Sequence, residues 1–225
     1  MPRHLNLYQK DEEIRFFENI MDNVNILVDI GCRQNHYYYD LKPSAKNYLF
    51  DVCSFHTDRL KEDIGDSENV FIFPFGLSDT NSSVFYDDAS ESIHRSGNEA
   101  VEIKKFDDVM SELGIIDKID FLKIDIEGSE PEILKFTEVL KNIKYIQWEF
   151  GPHWPNRNQY DIDDVVEQYK DTHDFYYMKD DQHPSSKPEF DLLQILDEDL
   201  CNSLKHYSSS GCGGNIVMVA KYLRS

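Results

Sequence analysis

No stretch of this 225-residue chain approaches the ~20 consecutive apolar residues that span a bilayer. Met1–Lys10 also lacks the apolar centre of a secretory signal. The chain is therefore expected to have no membrane span and to be cytoplasmic. Basic residues are few: 23 Lys and Arg stand against 43 Asp and Glu, a formal charge of −20. So acidic a surface repels phosphate backbones, which excludes a sequence-independent nucleic-acid binder but not a neutral or cationic small molecule. The four cysteines (Cys32, Cys53, Cys201 and Cys212) form no C-x-x-C pair, and the eight histidines are scattered singly. No zinc site is visible at the usual spacing, and reduced cysteines in a reducing compartment are expected. Internal repeats and low-complexity tracts are absent as well.

What is present is apolar material for a sizeable core: 40% hydrophobic and 13% aromatic residues. At roughly 100–200 residues per domain, the length suits one domain spanning 1–225. Residues 1–24 would form an N-terminal helical segment, with Ile14, Phe17 and Met21 on one face of a helix over Gln9–Asp22. Short apolar runs at Asn25–Ile30, Asn47–Asp51, Val70–Phe73, Ile119–Ile124 and Ile143–Phe150 read as buried strands. Further strands are expected near Phe175–Lys179 and Asn215–Ala220, with a short extra one at Val84–Tyr86. Helical periodicity lies between them, at Ser54–Asp63, at Phe106, Val109, Met110 and Leu113, and at Ile162, Val165, Val166 and Tyr169. Ser129-Glu-Pro-Glu132 fits a capping box opening a helix that would run to about Lys141. Asp180–Pro188, with two prolines and two serines, reads as a loop. Strands alternating with helices give an α/β fold, with a mostly parallel sheet covered on both faces. Ligands in such sheets bind beyond the carboxyl ends of the strands, where the strand order reverses.

Polar residues gather at those ends. Asp29-Ile30-Gly31 follows the first strand, and a glycine there lets backbone N–H groups approach a ligand closely. Asp51 ends the second strand 22 positions beyond Asp29, near the ~20-residue offset at which an acid grips a ribose hydroxyl pair. Asp125 and Glu127 project from the end of the fourth strand, before Gly128. They serve either as an electrostatic cap on the next helix or as groups facing a cationic ligand. Glu149 ends the fifth strand and His153 lies just past it, and an acid at the end of a buried strand is either a ligand contact or half of a buried pair.

The run Ile119-Asp-Phe-Leu-Lys-Ile-Asp-Ile-Glu-Gly-Ser-Glu-Pro-Glu-Ile-Leu134 resembles the signature of the FkbM family of S-adenosylmethionine-dependent methyltransferases. Val28–Gly31, Asn69–Val70 through Gly76–Asp79, Phe106–Val109 and Asn215–Ile216 agree with it, so the resemblance covers about residues 25–220. It implies a Rossmann-like class I methyltransferase fold over 25–225, a mostly parallel seven-stranded sheet, and O-methylation of a hydroxyl on a sugar, glycan or related small molecule. It further implies that Asp29 and Gly31 line the methionine end of the cofactor and Asp51 holds the ribose. Ser78 and Asp79 would meet the adenine edge, and Asp125 and Glu127 would flank the methyl group and the acceptor. Asp125 and His153 are the candidates for the base that assists the attacking hydroxyl. Family members carry a second glycine where this chain has Asn35, within Arg33-Gln34-Asn35-His36. Asparagine tolerates positive φ, so a modified cofactor pocket is the reading, with a catalytically silent binding module on the same fold as the alternative. Asp125, Glu127, Glu149 and His153 are of a chemistry that could hold magnesium, but their spacing does not establish a site and no metal is expected. Trp148, Trp154 and Tyr160 serve either as a platform for a sugar ring or as packing. Asp180–Pro188 and the glycines of Gly211–Gly214 are placed to cover an acceptor cleft.

Overall fold

The computed structural model describes residues 12–87, 92–94, 99–151, 160–178, 193–209 and 214–224. Helix α1 (Glu12–Ile20) leads into β1 (Ile26–Ile30), α2 (Tyr37–Leu41), β2 (Lys46–Phe50), α3 (Ser54–Ile64) and β3 (Val70–Phe73). Four short strands follow: β4 (Gly76–Ser78), β5 (Ser82–Asp87), β6 (Ser92–His94) and β7 (Glu99–Lys105). After α4 (Phe106–Glu112) come β8 (Phe121–Ile124), α5 (Glu130–Phe136), β9 (Tyr145–Phe150), α6 (Ile162–Tyr169) and β10 (His173–Met178). Strand β11 (Leu193–Ile195), α7 (Glu198–Ser209) and β12 (Gly214–Ala220) complete the order.

Among the described residues the main sheet runs β11-β10-β12-β9-β8-β1-β2-β3. The five strands from β3 to β9 are mutually parallel. Strand β12 is antiparallel to both β9 and β10, so β10 runs with the five. These seven strands are the mostly parallel, Rossmann-like methyltransferase sheet read from the sequence; β11 adds an antiparallel eighth at the edge. The chain moves outward from β1 through β2 to β3, then returns to place β8 on the other side of β1. The order therefore reverses between β1 and β8, and the crevice beyond their carboxyl ends is the place for a ligand.

Both faces of the sheet are covered. Val28, Ile30, Phe50, Leu122, Ile124, Ile146 and Trp148 pack with α4, α5, α6 and α7 in one core cluster. Leu27, Leu49, Phe121, Tyr145 and Val217 pack with α1, α2 and α3 in the other. Ile14 and Phe17 of α1 are buried as their spacing requires, but the helix ends at Ile20 and Met21 opens a 3-10 turn. Phe106, Val109 and Met110 are buried along α4, and Gly114 ends that segment at φ +68°.

Three sequence readings need correction. Helix α5 stops at Phe136, because Thr137 is extended and a separate 3-10 turn, Glu138–Asn142, follows. The capping box at Ser129 does not form: the Ser129 side chain caps nothing, and the Glu132 carboxylate accepts a hydrogen bond from Ser78 Oγ at 2.6 Å instead. Further, β4, β5, β6 and β7 make a separate four-stranded sheet, of which only Val84–Tyr86 was expected. Strand β7 brings Ile103, and β5 brings Val84 and Tyr86, to one wall of the crevice.

Candidate functional site

Three strand ends are stitched together around Gly31. The N–H groups of Gly31 and Cys32 both donate to Phe50 O, at 2.9 and 3.2 Å, and Asp125 N donates to Ile30 O at 2.9 Å. Gly31 has φ +82°, and a Cβ there would lie 1.7 Å from Asp125 O. Only glycine lets the turn after β1 press so closely on the end of β8. The next turn residue in the left-handed region is Arg33 (φ +53°), not Asn35. Asn35 N closes the turn on Cys32 O at 3.0 Å.

Asp51 bridges two of these turns. Its Oδ2 accepts from Arg33 N at 2.7 Å and its Oδ1 from Cys53 N at 2.8 Å. His56 Nδ1 stands 3.4 Å from Oδ1 and forms an ion pair with it when protonated. Each carboxylate oxygen has two lone pairs, so Oδ2, which accepts from Arg33 N, keeps a place for a ligand hydroxyl.

At the end of β8, Asp125 Oδ2 lies 3.2 Å from Lys123 Nζ, a buried ammonium also held by Glu13 of α1 at 3.1 Å. Lys123 further donates to Tyr37 OH at 3.4 Å, and the Tyr37 hydroxyl donates to Glu13 at 3.0 Å. Burial works against the charge of Lys123, but Glu13, Tyr37 and Asp125 outweigh it and hold its pKa well above the usual value. The following turn is fixed from within. The Glu130 carboxylate, buried at the start of α5, accepts from Ile126 N at 2.9 Å and from Gly128 N at 3.0 Å. Between those two N–H groups Glu127 takes φ +54°. Burial pushes Glu130 up to about 8, although those backbone hydrogen bonds pull the other way.

The result is a cavity of about 240 Å³ at the reversal of strand order. Gly31, Asp51, Ser78, Asp79, Asp125 and Glu127, six of the residues singled out in the sequence, line it together. Its apolar wall is built from Phe50, Val52, Leu77, Val84, Tyr86 and Ile103. The Ser78 hydroxyl donates either to Asp79 at 3.0 Å or to Glu132 at 2.6 Å. Two of the proposed residues stand apart. Asp29 lies on the face of β1 towards α1–α3, beside Lys123, and neither it nor Asn35 lines the cavity. Asp29 Oδ1 has no hydrogen-bond partner among the described residues, and burial, reinforced by Glu13, Asp125 and Asp51 against the pull of Lys123, pushes its carboxyl up to about 7. His153 and Trp154 lie outside the described residues, as do Asp180–Pro188 and Gly211–Gly213. Trp148 is 0% exposed and Tyr160 is also buried, so both pack in the core and neither offers a face to a sugar.

Arg33, His56 and Glu132 also line the cavity and were not among the site residues expected from the sequence. Nor were Lys123 and Glu130, although a lysine inside the four-residue buried strand Phe-Leu-Lys-Ile is an anomaly visible in the sequence. Glu149, at the end of β9, is pushed up to about 7 by burial and then by the charges of Asp125, Glu127 and Glu13. Among the described residues no group of three or more His, Cys, Asp or Glu side chains is arranged to hold a metal ion.

A sheet of this order, with its cavity at the β1–β8 reversal, defines a Rossmann-like α/β protein of the methyltransferase type. A family model described as the methyltransferase FkbM domain matches residues 12–176, so the chain belongs to that family. Membership supports methylation dependent on S-adenosylmethionine. Comparison with curated proteins finds no match. Among solved structures, a methyltransferase FkbM from Methylobacillus flagellatus is 14% identical, with a TM-score of 0.48 over 69% of this chain and 40% of that one. This chain thus spans less than half of that protein. A putative methyltransferase from Streptococcus mutans in complex with SAH is 9% identical, with a TM-score of 0.49 over 92% of this chain and 97% of that one. A SAM-dependent O-methyltransferase from Thermotoga maritima is 13% identical, with a TM-score of 0.44 over 97% and 68% of the two chains.

Proposed function

We propose that this protein is an S-adenosylmethionine-dependent O-methyltransferase acting on a hydroxyl of a sugar, glycan or related small molecule. The observation that carries the reading is the convergence of Gly31, Asp51, Ser78, Asp79, Asp125 and Glu127 on one cavity at the strand-order reversal. The cavity suits the cofactor's chemistry. Its carboxylates favour a cation, its apolar wall accepts a flat base, and Asp51 Oδ2 keeps a lone pair for a ribose hydroxyl. Ser78 and Asp79 would meet the base edge, and Gly31 would let the cofactor's amino-acid end approach the backbone. When bound, S-adenosylmethionine supplies a methyl group activated by its sulfonium.

The chain's own part is to align an acceptor oxygen and receive its proton. Asp125, held by Lys123, and Glu127, held by its locked turn, stand at the β8 end where an acceptor would lie beside the cofactor. Glu149 joins them as a candidate base, because a carboxyl near 7 takes up a proton readily at neutral pH. Asp29, buried beside Lys123, would act on the amino-acid end through that network, not by direct contact. The acidic charge of −20 favours a small-molecule or glycan acceptor over a nucleic acid. The same reading includes a cytoplasmic location, where cysteines stay reduced.

Isothermal titration with S-adenosylhomocysteine tests the cofactor assignment. Micromolar binding is expected, whereas no heat at high ligand concentration would favour the silent binding module. Transfer of a labelled methyl group onto a panel of sugars and nucleotide sugars tests the acceptor class. Incorporation that resists mild alkali, which cleaves methyl esters but not ethers, is expected.

A further inference from the structure

Among the described residues only two non-glycine positions have positive φ, Arg33 at +53° and Glu127 at +54°, and both line the cavity. They come from opposite sides of it, one from the turn after β1 and the other from the turn after β8. Each is held there by a buried carboxylate: Asp51 accepts from Arg33 N, and Glu130 accepts from the N–H groups on both sides of Glu127. Left-handed backbone at bulky residues is strained and persists where surrounding structure enforces it, commonly at a ligand site. Glycine would meet the backbone demand at position 33 without strain, so the arginine side chain calls for a role of its own.

Charge indicates that role. The described lining carries the carboxylates of Asp51, Asp79, Asp125, Glu127 and Glu132, and Arg33 is its one permanent cation. Such a wall attracts positive groups and repels an anion everywhere except at Arg33. The cofactor proposed above carries two cationic centres and a single carboxylate, whose planar oxygens match a guanidinium fork. Resting on that cofactor reading, we infer that Arg33 anchors the carboxylate of the cofactor's amino-acid end and so selects for it.

The test compares S-adenosylhomocysteine with its decarboxylated analogue by isothermal titration, on wild-type protein and on Arg33→Gly. Glycine suits φ +53°, so this variant keeps or raises the melting temperature while removing the guanidinium; Arg33→Ala serves as a second variant. Wild-type protein should prefer S-adenosylhomocysteine by about tenfold, the scale of one charge-assisted pair at a partly exposed site. In Arg33→Gly its affinity should fall to that of the analogue, with the analogue unchanged. A preference that survives in the variant, or an equal loss for both ligands, overturns the anchor and leaves the cofactor reading standing. Binding of neither ligand to wild-type protein overturns the cofactor reading, and the anchor with it.

Discussion

The two faces of the main sheet are equally dry and chemically unlike. Towards α4–α7, Val28, Ile30, Phe50, Leu122, Ile124, Ile146 and Trp148 form an apolar layer. Towards α1–α3, Leu27, Leu49 and Phe121 are interleaved with Asp29, Asn47, Lys123 and Gln147, all buried. Asp29, Lys123 and Gln147 stand in one row across β1, β8 and β9. Burying such groups costs desolvation that the apolar face never meets. Asp29 and Lys123 lie one residue before the ends of β1 and β8, where Lys123 ties Asp125 at the cavity to Glu13 of α1. The apolar face supplies stability that many side chains could give, whereas the polar face spends stability on holding particular atoms in place.

The widest separation of the two faces should come from adjacent residues of β8. Lys123→Met leaves Glu13 and Asp125 without their cation and should cost about 3–5 kcal/mol in urea denaturation. Ile124→Val, on the other face, should cost about 0.5–1.5 kcal/mol and leave S-adenosylhomocysteine affinity unchanged. Adding Glu13→Gln to Lys123→Met should recover part of the loss, because one stranded charge is then removed. If Lys123→Met proves neutral, the polar face is not an energetic unit.

Asp51→Ala should act next most strongly, and on binding. Loss of ligand hydrogen bonds to a charged acceptor should weaken S-adenosylhomocysteine by about 1–3 kcal/mol. Because Asp51 also holds Arg33 N and Cys53 N, a modest drop in melting temperature should accompany it. Unchanged affinity in a folded variant would sink the ribose assignment.

How the sequence revealed the molecule follows the same division. Buried parallel strands are apolar on both sides, so Val28-Asp-Ile30 and Leu122-Lys-Ile124 read as strands despite their polar members. The site residues at strand ends were legible because topology alone puts them there; Gly31, Asp51, Asp125 and Glu127 needed no side-chain detail. Asp29 lies off the cavity because period two turns it to the far side of β1 from Ile30, a cavity-lining residue. Glu132 was misread because the capping-box pattern is local, while its partner Ser78 lies 54 positions away. The second sheet was missed because its longer strands, Ser82–Asp87 and Glu99–Lys105, are rich in polar and charged residues and lack the continuous apolar runs of the main sheet, although Val101 and Ile103, buried either side of exposed Glu102, carry a period-two signal.

Acidity tests what the buried carboxyls cost the fold. Asp29 and Glu149 are pushed up to about 7 and Glu130 up to about 8, from ordinary values of 3.8, 4.5 and 4.5. Each folded value exceeds the unfolded one, so the folded chain keeps protons that the unfolded chain has released. Their contribution to stability is fully present below about pH 4 and is lost as pH rises through about 7–8. The melting temperature should therefore fall between pH 5 and pH 8, and level off above that. Glu130→Gln, a neutral near-isostere, should flatten part of that fall with the fold intact, whereas Glu130→Ala should lower stability at every pH by freeing Ile126 N and Gly128 N. A melting temperature independent of pH would mean these carboxyls are hydrated in solution.

The smallest expected effect completes the comparison, because it concerns the same kind of residue with the same kind of partner. Lys61 Nζ lies 3.0 Å from Asp58 on α3, nearly the spacing of Lys123 from Glu13, yet its side chain is 50% exposed against 5% for Lys123. In water the Coulomb gain is screened, and ordering two long side chains offsets most of it. Lys61→Ala should thus change stability by less than about 0.5 kcal/mol, and 0.5 M salt should leave that difference near zero. Distance alone would assign the two lysines equal worth. A measured cost for Lys61→Ala close to that of Lys123→Met would show that pairing, not burial, sets the energetics of the polar face, and the contrast between the two sides of the sheet would lose its cause.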